Sequence, residues 1–135
     1  MPTLQNAYAE GTISVSRVVV AGTTHRNSAK QAVGATVPAL GIAQNSGRLR
    51  PDPSFSQSNV DQAAIVGENV GIYGPGSVGV DGYCNFAWTA GDLLMPDAAG
   101  KLIVATAGSY FIARAQGPGT VDALCAVDVL SPAKA

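Results

Sequence analysis

The feature that most constrains this chain is the close spacing of its turn residues. The stretch Ala90-Gly91-Asp92-Leu93-Leu94-Met95-Pro96-Asp97-Ala98-Ala99-Gly100-Lys101-Leu102-Ile103-Val104-Ala105-Thr106-Ala107-Gly108 reads as turn, short apolar strand, Asp-Ala-Ala-Gly turn, second apolar strand and second turn. Runs of four to eight residues between Gly, Pro, Asn and Asp leave no room for a helix of useful length, and the rest of the chain keeps the same rhythm. The one helix-permissive segment, Asp61-Gln62-Ala63-Ala64-Ile65, meets Gly67 too soon and is read as a turn. The expected fold is all-β: a small β-barrel or sandwich of eight to ten short strands.

Strands are expected at Thr12–Val20, Ala39–Ala43, Val70–Tyr73, Ser77–Val80, Gly82–Trp88, Leu93–Pro96, Leu102–Val104, Ser109–Ala115 and Ala123–Leu130. Thr12–Val20 alternates and then turns continuously apolar, as a strand does when it passes from solvent into a core. Alternation sets Cys84, Phe86 and Trp88 on one face, the expected core face, and points Cys125, Val127 and Val129 inward opposite Asp128. Residues 1–11 lack a strand pattern and read as an extended N-terminal arm; residues 12–135 read as a single β domain. Residues 45–62 hold Gly47, Pro51, Pro53, Arg48 and Arg50 and read as one long polar loop, a length usually functional or mobile. Ala39-Leu40-Gly41-Ile42-Ala43-Gln44 matches Phe111-Ile112-Ala113-Arg114-Ala115-Gln116 at an offset of 72 residues (111 − 39), which two similar β lobes would explain.

Composition narrows the function classes. The 135 residues are 47% apolar, yet aromatics are only 6% and charged residues 13%, against about 25% charged in a typical domain. A weakly charged surface of small residues suits a protein that packs against copies of itself or a partner. With 8 basic and 9 acidic residues and a net charge of −1, there is no electrostatic footprint for nucleic acid. No apolar run approaches the ~18–20 residues needed to span a membrane, and Met1-Pro2-Thr3-Leu4-Gln5-Asn6 has no signal-peptide pattern. Synthesis in a reducing cytoplasm is therefore expected, and Cys84 and Cys125 read as small buried hydrophobes rather than a bridge.

No constellation for chemistry stands out. His25 is the single histidine and sits in the polar turn Gly22-Thr23-Thr24-His25-Arg26-Asn27-Ser28, where it is read as solvated. Asp92 with Asp97, or Asp122 with Asp128, are the only carboxylate pairs of interest, and Asp92 and Asp97 fall where turns use Asp to bind local amides. Two cysteines and one histidine make no zinc site, and Asp97–Lys101 supplies too few oxygens for calcium. Gly74-Pro75-Gly76-Ser77-Val78-Gly79 precedes a strand rather than a helix, so it is a turn and not a phosphate cradle. Tyr83, Phe86 and Trp88 have no basic neighbours for a nucleic-acid platform. No catalysis, cofactor, metal or small-molecule substrate is expected.

Ala90-Gly91-Asp92-Leu93-Leu94, Asp97-Ala98-Ala99-Gly100-Lys101, the Ile112-Ala113-Arg114-Ala115 strand and the closing Asp122–Leu130 strand together resemble tailed-bacteriophage capsid decoration (cement) proteins. The resemblance covers residues 67–130 well and 13–44 moderately, and is absent from the 45–62 loop. It implies a protein made in the host cytoplasm and placed on the outer capsid surface of the virion. There it would bind the major capsid protein as a homotrimer and bridge neighbouring capsid subunits. Trimerisation would also cover edge strands. On that reading the arm adds a strand to a capsid loop through Pro2, Thr3, Leu4, Gln5, Asn6 and Tyr8, and Arg48, Arg50 and Phe55 make the loop contact. The competing readings are a β-rich virion fibre or adhesin module binding a host receptor or glycan, a small β-barrel hydrolase, and a β domain with another partner.

Overall fold

The structure, a computed structural model, describes residues 4–23, 27–43, 62–64 and 69–135. Among them are twelve strands and no helix: β1 (Leu4–Ala9), β2 (Ile13–Ser14), β3 (Val18–Ala21), β4 (Ser28–Gln31), β5 (Ala39–Ala43), β6 (Gln62–Ala64), β7 (Asn69–Tyr73), β8 (Val80–Cys84), β9 (Leu93–Pro96), β10 (Leu102–Val104), β11 (Tyr110–Ala115) and β12 (Ala123–Lys134). The chain is all-β, as expected, and forms two small closed barrels rather than one.

The first barrel closes in the order β1-β4-β3-β5-β7, and the second in the order β10-β8-β12-β11-β9. These are the same topology. Matching β1, β3, β4, β5 and β7 in turn to β8, β9, β10, β11 and β12 preserves every neighbour. It also preserves direction, because the first strand of each set runs parallel to the third (β1 to β4, β8 to β10) and all other neighbours are antiparallel. β5 and β11 are the strands matched by the 72-residue repeat, so the repeat marks equivalent positions in two copies of one unit.

A continuous apolar run needs two buried faces, and β3 has them. Val19 packs among Ala7, Ala9, Ala29, Ala43, Val70 and Ile72 of the first barrel and Ile13 of β2. Val18 and Val20 face the other way, into a cluster with Val80, Cys84, Leu94, Leu102, Ile112, Val127 and Val129 of the second barrel. β5 splits its residues likewise, Leu40 and Ala43 against the first cluster and Ala39 and Ile42 in the second. That spacing follows from a register shift: Val19 pairs with Gly41 but Val20 with Ala39, leaving Leu40 as the extra residue of a bulge. The wall made by β3 and β5 thus serves both barrels.

Several sequence expectations are corrected. Leu4–Ala9 is not part of an arm: β1 pairs with β4 and, over five positions, with β7, closing the first barrel, and Ala7 and Ala9 are buried. Thr12–Val20 is two strands, because buried Ser16 takes a positive φ of 59° and turns the chain. Gln62–Ala64 is a strand that pairs with β2, not a turn. Gly82–Trp88 stops being a strand at Cys84; Trp88 is still buried, through the loop that follows, where Gly119 N–H donates to its carbonyl (2.9 Å). Phe86, on that loop, is exposed instead of buried.

Candidate interaction surface

The segment that dominates the sequence turns out to be the joint between the barrels. Asp97 organises its turn: Oδ1 accepts from the amides of Ala99 (2.8 Å) and Lys101 (3.0 Å), and Oδ2 accepts from Asn85 Nδ2 (2.6 Å). Gly100, in left-handed conformation with φ 76°, presents its carbonyl to the amide of Val18 (2.8 Å). Gln31 Nε2 donates to the Ala99 carbonyl (2.9 Å), and Gln31 Oε1 accepts from Ser14 N–H (2.9 Å). Beside the turn, Tyr83 N–H donates to the Ser16 carbonyl (3.1 Å). The Tyr83 ring carries the Arg17 guanidinium at 4.1 Å and the Lys101 ammonium at 4.7 Å from its centroid, close enough for cation–π attraction.

Asp92 and Asp128, like Asp97, are spent on local structure. Asp92 Oδ2 accepts from Thr89 N–H and Oγ1–H (3.0 and 3.1 Å). Asp128 Oδ1 accepts from Gly79 N–H (3.2 Å) and from Gln116 Nε2, tying the 74–79 turn to β12. Among the described residues no three His, Cys, Asp or Glu side chains group to hold a metal ion.

Of the residues assigned to capsid contact, Leu4, Gln5, Asn6 and Tyr8 lie on β1, built into the barrel wall, and Tyr8 is half-buried. Pro2 and Thr3, the loop residues Arg48, Arg50 and Phe55, and His25 lie outside the described residues.

What it does expose was missed in the sequence. Phe86 (59% exposed), Leu124 (53%) and Val121 (49%) lie at one end of the β8–β12 pair, where Leu124 stands opposite Tyr83 and the Asp122 amide donates to the Cys84 carbonyl (2.8 Å). Inward Cys125 and Val127 already implied outward Leu124; Phe86 was hidden by reading the strand two residues too far. Val33 and Val37 are exposed on the β4–β5 connection, which is fastened to the second barrel by Tyr110 N–H donating to the Ala35 carbonyl (3.0 Å). These side chains can contribute apolar contact and no chemistry.

No protein-family model matches the chain, and no curated protein sequence matches it. Among solved structures it is similar to the head fiber gp8.5 N base of bacteriophage phi29, with a TM-score of 0.56 and 12% identity over 100% of both chains. At that identity the likeness is one of fold, and it extends over the two-barrel body as a whole.

Proposed function

We propose that this chain is a non-enzymatic structural protein of a phage head, mounted on the outer surface of the shell, where it binds the major capsid protein and stabilises contacts between neighbouring subunits. One observation carries the reading: the full-length likeness in fold to a phage head fiber base. The Ala90–Lys101 segment, which resembles capsid decoration proteins, agrees with it. So does the chemistry, since Asp92, Asp97 and Asp128 bind backbone amides and the exposed apolar side chains are suited to contact.

Assembly as a homotrimer belongs to the same proposal, with a changed rationale. Closed barrels have no edges to cover, so the argument from edge strands reaches only the β2–β6 ribbon among the described residues. The remaining support is the low surface charge and the exposed Phe86, Val121 and Leu124. A second reading, the base of a head fibre, is favoured by the neighbour itself. Both readings put the chain on the head. They differ in whether it clamps the shell or seats a projecting structure.

Immunogold labelling of intact virions with an antibody against the chain tests the shared claim, with the outer surface of the head expected to label. Labelling confined to tails, or its absence from virions, would overturn both readings. Purified chain added to heads that lack it should then co-sediment with them and raise their disruption temperature if it is a clamp. Binding without that rise selects the fibre base.

A further inference from the structure

The face of β8 and β12 that lines the second barrel carries both cysteines of the chain. In the antiparallel ladder Cys84 stands opposite Ala123, and Cys125 opposite Gly82, so the two thiols are diagonal neighbours on one face. Both are free. The Cys125 sulfur leans along its strand to 3.9 Å from the carbonyl oxygen of Ala123, the residue that faces Cys84. The Cys84 sulfur donates to the Phe86 carbonyl (3.1 Å), and burial pushes its thiol above the ordinary value, with the neighbouring Cys125 adding to that rise. Access separates them. Cys84 is wholly enclosed in the core, whereas Cys125 is half-buried at the margin of the same cluster.

We propose that Cys84 and Cys125 form a dithiol–disulfide couple, oxidised by small-molecule disulfides to an intramolecular bridge across the β8–β12 seam. The half-exposed Cys125 reacts first. Its thiolate attacks one sulfur of the oxidant, forming a mixed disulfide and releasing one small-molecule thiolate. Cys84, as thiolate, then displaces the second small-molecule thiolate from Cys125, forming the Cys84–Cys125 bond. The protein loses two protons and two electrons, and one oxidant disulfide becomes two thiols. Diagonal neighbours in a flat sheet stand roughly 7–8 Å apart and a disulfide spans at most about 7 Å between Cα atoms, so closure requires β8 and β12 to shear or twist locally by on the order of 1 Å. The bridge is accordingly of the readily reduced kind rather than a permanent staple.

The test is incubation of the folded chain with oxidised glutathione near neutral pH, followed by acid quench, intact mass, thiol count and peptide mapping without reduction. The expected product is a monomer lighter by two hydrogens, with no free thiol and a Cys84–Cys125 cross-linked peptide, all reversed by dithiothreitol. Cys84→Ser should trap one glutathione on Cys125, and Cys125→Ser should leave Cys84 unreacted until urea is added. A wild-type product that stays fully reduced, stops at a stable glutathione adduct, or cross-links between chains overturns the proposal.

Discussion

At Gly100 two demands coincide. The backbone has φ 76°, and a Cβ added there would lie 2.9 Å from Gln31 Cγ and 3.3 Å from both the Ala32 carbonyl oxygen and Arg17 Cβ. Gly108 has a comparable φ of 84° but open space around it. The pair separates conformation from docking. Gly108→Ala should cost about 1–2 kcal/mol, the penalty of an L-residue in left-handed geometry. Gly100→Ala should cost that and a further ~1–3 kcal/mol, because the turn must back away from the first barrel and stretch the Gly100–Val18 hydrogen bond. Urea unfolding of both variants against wild type measures the difference. Equal midpoints would mean that the turn is not held against the first barrel. The same turn shows what its carboxylate does: Asp97 accepts from three donors, two of them amides of its own turn.

Among the elements, those bounded by strong turn signals were legible and those defined by distant partners were not. β9, β10 and β11 follow their Gly, Pro and Asp boundaries, and Val127 and Val129 point inward as strand alternation requires. The triple-Val run of β3 announced a strand entering a core, and its burial on both faces comes from the second barrel. β1 gave no such sign: the buried side chains described on it are Ala7 and Ala9, and it is a strand because β4 and β7 flank it. Ser16 is not a residue type that advertises positive φ, so the break between β2 and β3 was invisible. The candidate site was the least legible part, because exposure of Phe86 depends on where β8 stops, which no local pattern records. The position of β1 carries a prediction. Deleting residues 1–11 removes a barrel strand with five paired positions against β7 and opens a gap between β4 and β7. The loss should be comparable with a domain's net stability of ~5–15 kcal/mol. Far-ultraviolet circular dichroism on heating should show no cooperative transition for the truncated chain. A sharp melt near the wild-type temperature would restore the arm.

For the molecule as a whole, the shared wall decides how the two barrels behave. Two units of one topology joined end to end would unfold separately, each on its own core. Here Val18, Val20, Ala39 and Ile42 of the first barrel are packed in the same cluster as the lining of the second, while Val19, Leu40 and Ala43 on the same two strands hold the first barrel's own cluster. Opening either barrel strips apolar surface from the other, so the energetic unit is the pair. Ile42 and Ile72 allow this to be measured, since both are fully buried isoleucines but Ile42 lies in the shared cluster and Ile72 in the first barrel's own. Each Ile→Ala change should cost about 2–5 kcal/mol. Calorimetry should show one transition for wild type, and one transition moved to lower temperature for each variant, with calorimetric and van't Hoff enthalpies in agreement. Two resolved transitions in wild type, or an Ile72→Ala melt that shifts only part of the heat, would mean that the barrels fold as neighbours rather than as one body.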